Sequence, residues 1–448
     1  MNRTDFDRRS LLTATAVLGA AALFPKTLRA ADAVSKRYET MDGITGLVEK
    51  GWEPVADIIR ANLKNGKEVG TSCCVYLDGH PVVDIWGGLA DSKTGRKWER
   101  ETVTVLASTT KGAVAICAHL LVQRGKLDLE APVAKYWPEF GQAGKETIPV
   151  RYLLAHQAGL PLIDTPVTFE ETAKWGPMIH AFEVQKPLWE PGTEHLYHAE
   201  SFGYLVGELV RRVSGKTIGK FFHEEIAVPL GLTAWIGMPE EYEPLYSQRE
   251  WTIPSKSPEV MVAEFSKAMG FDPAVAAALM QGLYAPDSAF MRAGQVGAVT
   301  PEIFLSRAYR AGEFPASNMV ANARSLARMY AATVSDVDGI RILRADTVAK
   351  ATEVQTDRSR MHGVPEELQP YTKKLFNMSL GFWRPTLPVN PMLGPNSFGH
   401  PGSGGSLGAA DPESRVAFGY VPNYAEIGLL DPRASELTAA VRKCLGKA

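Results

Sequence analysis

The sequence predicts an α+β fold, an α/β sandwich whose mainly antiparallel sheet is built from both chain ends, with helices on its faces and a helical region inserted between. Three observations lead there. Strand-like runs flank tight turns near the start, Gly70 to Leu77 and Pro81 to Trp86 around Asp78-Gly79. The same theme returns near the end, with Ser406 to Ala410 and Val416 to Val421 around Asp411-Pro412-Glu413-Ser414. Between them lies a long helical stretch punctuated by prolines, with no repeat, low-complexity tract or flexible linker to divide it.

In chain order, Arg8-Arg9-Ser10-Leu11-Leu12 precedes the apolar stretch Leu11 to Phe24, then Lys26 and Ala31-Asp32-Ala33. Paired arginines before an alanine-rich apolar run read as a twin-arginine-type export signal over residues 1–33, with cleavage after Ala33. The run is shorter than the roughly twenty apolar residues a membrane span needs. The mature protein, residues 34–448, is therefore expected to be periplasmic or secreted, with no stable membrane association. Its sheet region covers about 34–105 and 375–448.

Ile44 to Leu63 reads as mostly helical with a break at Pro54. Thr102 to Leu106 reads as a short strand, followed by a helix from Gly112 to Arg124 that Gly125 stops. A further helix covers Ser201 to Val213, and a last one runs from about Ala434 to Leu445. Cys73 and Cys74 are strand neighbours and face opposite sides of the sheet, and Cys117 falls on an apolar helix. Four cysteines at irregular spacing specify neither a disulfide framework nor a zinc site; an oxidising compartment would permit a bridge from Cys73 or Cys74 to Cys444, but nothing requires one. The composition, 45% hydrophobic and 22% charged with net charge −2, gives no electrostatic case for nucleic acid or an anionic membrane as partner. A small neutral molecule fits better.

Ser108-Thr109-Thr110-Lys111 is the only Ser-x-x-Lys in the chain and sits where a strand-like run gives way to a helix. Residues three apart share a helix face, so this spacing aims a hydroxyl and an amine at one point. The unpaired N–H groups at a helix start suit a nucleophile that must become anionic. The helix that follows has almost no polar face, so Lys111 is carried inward, where lost hydration lowers its pKa toward that of a base.

Two further clusters join it. Pro191-Gly192 delivers Tyr197 on a loop just before a helix, and its phenol can shuttle a proton if an ammonium such as Lys111 pulls its pKa below the usual value of about 10. His195 and His198 beside it read as ordinary packed histidines. Gly399-His400-Pro401-Gly402-Ser403-Gly404-Gly405-Ser406 then leads into a strand, where glycines allow a ligand close to the backbone. A phosphate-binding loop is a weak competitor, because no Walker Lys-Ser/Thr follows and the run enters a strand instead of a helix.

The ordered set of Ser-x-x-Lys, a tyrosine after Pro-Gly and a His-x-Gly segment resembles the penicillin-recognising serine hydrolases, and more narrowly the esterase branch related to class C β-lactamases, the family VIII carboxylesterases. Trp86-Gly87-Gly88, Leu153 to Pro161 and Gly404 to Pro412 extend the resemblance over most of the mature chain. It implies a β-lactamase/transpeptidase-like fold, no cofactor and no metal. Ser108 is the implied nucleophile, with Lys111 and Tyr197 managing its proton. The backbone N–H groups of Ser108 and Ser403 form the implied oxyanion hole, and His400, Gly402 and Gly404 border the substrate pocket. Which of Lys111 and Tyr197 is the base stays open.

Departures from the pattern bear on the substrate. β-Lactam-active relatives carry Tyr-x-Asn and Lys-Thr-Gly, where this chain has Tyr197-His198-Ala199 and His400-Pro401-Gly402. Donors for an amide oxygen and a carboxylate are thereby lost, which favours small esters. A β-lactamase, a D-amino-acid peptidase, an acyltransferase or an inactive binding protein of the same fold are the alternatives. Lys93-Thr94-Gly95 lies before Ser108 in a polar turn and is coincidental. Gly404-Gly405-Ser406-Leu407-Gly408 matches a nucleophile-elbow pattern, which makes Ser406 a minor rival, but it enters a strand where an elbow needs a helix. His223-Glu224-Glu225-Ile226-Ala227 lacks the second histidine of a zinc protease helix.

Overall fold

The two ends of the chain meet in one antiparallel sheet. In the computed structural model, which describes residues 39–252, 257–373, 375–386, 392–426 and 431–446, the first part supplies strands β1 (Glu39–Met41), β2 (Ile44–Val48), β3 (Gly70–Leu77) and β4 (His80–Asp91). The last part supplies β5 (Phe398–Pro401), β6 (Leu407–Asp411) and β7 (Val416–Pro422). They run in the order β1-β2-β4-β3-β7-β6-β5, with the short strand Arg96–Lys97 paired to β4. The seam between the ends is β3 against β7, in register from Leu77 opposite Val416 to Thr71 opposite Pro422. The leader expected over residues 1–33 lies outside the described residues.

Five helices matter for the site. Helices α1 (Glu53–Lys64) and α5 (Pro432–Cys444) pack on each other, α1 also touching β2, β3 and β4, while α4 (Ala323–Val334) lies across β3, β6 and β7. The side-chain alternation of β3 separates two hydrophobic cores on opposite faces of the sheet: Cys73 and Val75 enter one, Cys74 and Tyr76 the other. All four cysteines are free thiols. Helix α2 (Thr110–Gln123) is buried at every residue from Thr110 to Leu121, packed between α3 (Ser201–Ser214) and the short helix Ile218–Phe222. That burial follows from its lack of a polar face.

Two expectations need correction. Ile44 to Val48 is a strand, not helix, because its β-branched residues alternate between inside and outside and pair with Val83 to Gly87 of β4. The helix starts only at Glu53, where Pro54 occupies the first turn and opens the helix instead of breaking it. The Thr102 to Leu106 strand shrinks to Thr104–Val105 and pairs with Val320–Ala321 outside the main sheet.

Candidate active site

After Val105 the chain turns sharply. Leu106 N–H donates to the Met319 carbonyl at 2.8 Å, and Ala107 then adopts φ 46°, a left-handed conformation that a residue with a Cβ takes only when its surroundings enforce it. Here Thr110 Oγ1 donates to the Ala107 carbonyl at 2.6 Å and accepts the Met319 N–H at 2.9 Å. One 3-10 turn, Ala107–Thr109, leads into α2 and leaves Ser108 part-exposed at its head. Lys111, in the first turn of α2, is 0% exposed. Its Nζ donates to Ser108 Oγ at 3.1 Å and to the Ala316 carbonyl at 3.0 Å. Burial lowers its pKa to about 8, against the opposing pull of the Glu200 carboxylate.

Tyr197 reaches the same point from a loop held by neutral histidines. His156 Nδ1 accepts the His198 N–H at 3.0 Å, the His156 carbonyl accepts the Leu196 N–H at 3.2 Å, and His198 Nε2 accepts the Leu160 N–H at 3.2 Å. Burial holds His156 well below the usual imidazole value and His198 at about 4, so both keep the lone pairs these bonds need. The Leu153 to Pro161 segment thus serves as the clamp for the tyrosine loop. Tyr197 lies within hydrogen-bonding reach of the Ser108 side chain, and Lys111 Nζ stands 4.9 Å from the centroid of its ring.

The expected lowering of the tyrosine pKa is overturned. Burial pushes the phenol up, and the nearby Glu200 carboxylate pushes the same way. Lys111, 4.9 Å from the ring centroid, is not among the groups that shift the phenol, and the lowering pull of the Ser108 hydrogen bond is smaller than the effect of burial. Tyr197 is a neutral phenol at physiological pH.

The glycine-rich segment is a hairpin turn between β5 and β6, where the sequence reading made it a loop feeding one strand. Gly402 N–H donates to the Ser406 carbonyl at 2.7 Å and Gly405 N–H to the Gly402 carbonyl at 3.0 Å. A Cβ on Gly402 would lie 2.2 Å from the Leu106 carbonyl oxygen and 2.3 Å from Ser406 Oγ, so only glycine lets the hairpin close on the turn that carries Ser108. Ser403 is exposed at the tip. Among the described residues, neither the Ser108 nor the Ser403 backbone N–H has an acceptor. His400 is buried with its ring 6.1 Å from those of both Tyr197 and Trp383, and its Nδ1 lies 2.7 Å from the Pro401 carbonyl. That bond makes Nδ1 the protonated nitrogen, and burial together with Lys111 holds the ring neutral.

Glu200 is a member of the cluster that motif reading passed over. It begins α3 without capping it, and its Oε2 instead accepts the Ser317 hydroxyl at 2.7 Å. Ser317 Oγ in turn accepts the Tyr309 hydroxyl at 2.7 Å. Burial raises the Glu200 pKa while Lys111 lowers it. An acidic residue at a helix start is ordinarily read as a dipole partner, so nothing local marks this one. Ser406, the rival serine, is 1% exposed and donates to the Leu106 carbonyl at 2.8 Å.

The family model described as Beta-lactamase matches residues 55–441. "Esterase/beta-lactamase LipL" of Mycobacterium tuberculosis (strain ATCC 25618 / H37Rv) is 36% identical over 375 residues, covering 79% of this chain and 77% of the relative. The crystal structure of a family VIII carboxylesterase superposes with TM-score 0.74 at 32% identity, over 90% of this chain and 99% of that one. EstA from Arthrobacter nitroguajacolicus Rue61a gives TM-score 0.74 at 30% identity, over 89% and 98%. The fold is the one these structures share.

Proposed function

The chain belongs to the beta-lactamase family, and we propose that it is an exported serine hydrolase that cleaves small carboxylic esters through an acyl-enzyme on Ser108. One observation carries the reading: a part-exposed hydroxyl 3.1 Å from the amine of a fully buried lysine. With a pKa of about 8, Lys111 is partly neutral at physiological pH and competent as the base.

In this mechanism Lys111 takes the Ser108 proton while Oγ bonds to the ester carbonyl carbon. The carbonyl oxygen becomes an alkoxide held by the Ser108 and Ser403 N–H groups, an interaction worth roughly a hundred- to thousand-fold per donor. Collapse breaks the bond to the alcohol oxygen. That oxygen leaves with the Tyr197 phenol proton, and Lys111 returns its own to the phenolate. Water then adds to the acyl carbonyl by the same proton route, releasing the acid and restoring Ser108.

Esters are favoured because the groups that would grip a β-lactam carboxylate and amide are missing. His400 stands uncharged at the lysine position, and Ala199 replaces an asparagine. The printed names of the relatives, an esterase/beta-lactamase and a family VIII carboxylesterase, support ester chemistry and make β-lactam turnover the second reading. Rates on p-nitrophenyl acetate, a chromogenic cephalosporin and a D-amino-acid p-nitroanilide decide between them. The ester is expected to be fastest by orders of magnitude; a faster cephalosporin would reverse the order of the two readings. Export rests on Arg8-Arg9, and replacing both by lysine should leave uncleaved precursor in the cytoplasm.

A further inference from the structure

We propose that Arg249 is a positioning residue for the oxyanion hole, its buried guanidinium holding the Ser403–Gly404 peptide by its carbonyl while the Gly405 N–H holds the Gly402–Ser403 peptide that carries the Ser403 N–H, so that the two together fix where that N–H points. The inference rests on the reading of that N–H as an oxyanion donor. Arg249 is 2% exposed, and its Nη1 donates to the Ser403 carbonyl oxygen at 2.8 Å. Its backbone is anchored just before the strand Glu250–Thr252, which pairs with Tyr424–Glu426, and the Glu250 N–H donates to the Asn423 carbonyl at 2.8 Å. The hairpin therefore rests on a rigid platform at the end of β7.

The contact is close on both sides. A Cβ on Gly404 would lie 2.3 Å from Arg249 Nη2 and 2.7 Å from Ala425 Cβ, so the hairpin lies flat against the guanidinium and cannot carry a side chain there. A turn with glycine at 402, 404 and 405 has much conformational freedom to lose, and the Arg249 contact on the Ser403 carbonyl adds an external hold to the turn's own Gly405-to-Gly402 hydrogen bond.

The chemistry of Arg249 sets it apart from its neighbour Arg433. Arg433 also touches the hairpin, at the Gly404 carbonyl, but its charge is matched by Glu68 and Asp431. Among the described residues Arg249 enters no ion pair, and its Nε and Nη2 have no hydrogen-bond partner. Besides Ser403 it meets the Trp251 ring, 5.1 Å from the guanidinium carbon. Burial lowers its pKa to about 10, which leaves it charged at neutral pH. A buried cation with no ion pair, eased by the more distant Asp431 carboxylate, is a burden on the fold that an apolar side chain of similar length would remove. Its presence is explained by what it does to Ser403.

The test compares Arg249→Met and Arg249→Lys with the wild type in thermal melting, p-nitrophenyl acetate kinetics and the rate of labelling by a serine-directed phosphonate. The Met variant should melt at or above the wild-type temperature. Its kcat and kcat/KM should fall together by roughly ten- to hundred-fold with KM within about two-fold, because the lost interaction forms only in the transition state. Labelling, which places a phosphonyl oxygen in the same site, should slow by a similar factor. The Lys variant keeps a charge and a donor and should recover part of the loss. Wild-type rates in the Met variant would overturn the proposal, as would loss of its cooperative melt, which would assign the guanidinium to the fold. Wild-type label on a serine other than Ser108 would instead overturn the reading beneath it.

Discussion

The Ser406 hydroxyl donates to the Leu106 carbonyl across 2.8 Å, joining the residue before β6 to the residue before the nucleophile turn. Thr109 Oγ1, 3.1 Å from the same hydroxyl, closes the contact from the other side. Two segments about three hundred residues apart are thereby fastened together beside Ser108. Ser406→Ala should destabilise the fold by about 1–3 kcal/mol, since it leaves the Leu106 carbonyl short of a buried donor. It should also lower kcat several-fold, while phosphonate still labels Ser108. Calorimetry and peptide mapping check this. A folded Ser406→Ala protein that takes up no label would make Ser406 more than a fastening.

The base must be neutral to act, so kcat/KM should rise with pH through about 8 and level off above it. Glu200 raises the Lys111 pKa, so Glu200→Gln should move the inflection to lower pH. A pH–rate profile of both proteins reads the direction. An inflection that stays in place, or moves up, removes Glu200 from the electrostatics of the site.

Burial raises the Tyr197 pKa, and in the proposed mechanism the neutral phenol acts as a relay and not as a standing base. Tyr197→Phe keeps the ring against Lys111 and loses only the hydroxyl. Turnover should drop by roughly a hundred-fold or more, the range of a positioned proton transfer, with little change in melting temperature. Loss of less than about five-fold would show that protons reach the leaving group by another path.

Acid stability follows from the buried histidines. His119, His195 and His198 are held near pKa 4 by burial, against an ordinary value of 6.5. The unfolded chain binds their protons first, so the stability that depends on neutral rings is complete above 6.5. It is lost as pH falls toward 4, at up to about 1.4 kcal/mol per pH unit for each histidine. Denaturant melts from pH 7 to pH 4 should show that slope, and a flat profile would mean that the rings protonate without strain. His198 also fastens the Tyr197 loop, so its contribution couples stability to activity.

What the sequence made legible was local. Ser108 and Lys111 are three apart on one helix, so their meeting needs only helix geometry, and the burial of Lys111 followed from the apolar run around it. The hairpins at both ends announced themselves by turn residues, and the sheet that joins them followed from their placement. The misread parts depend on contacts between distant segments. The tyrosine pKa turned on burial, which segments distant in the chain impose. Glu200 and Arg249 carry no motif and look like surface charges until folding encloses them. Ile44 to Val48 was lost to a proline that starts the next helix instead of ending one.

The central claim is that one hydroxyl does the chemistry. Mapping the adduct of a serine-directed phosphonate by peptide mass spectrometry, on the wild type and on Ser108→Ala, tests it most directly. The account predicts a single adduct on Ser108 in the wild type, in step with loss of esterase activity, and no adduct on the variant. Stoichiometric labelling of Ser406 or any other serine, or an active Ser108→Ala protein, would contradict it.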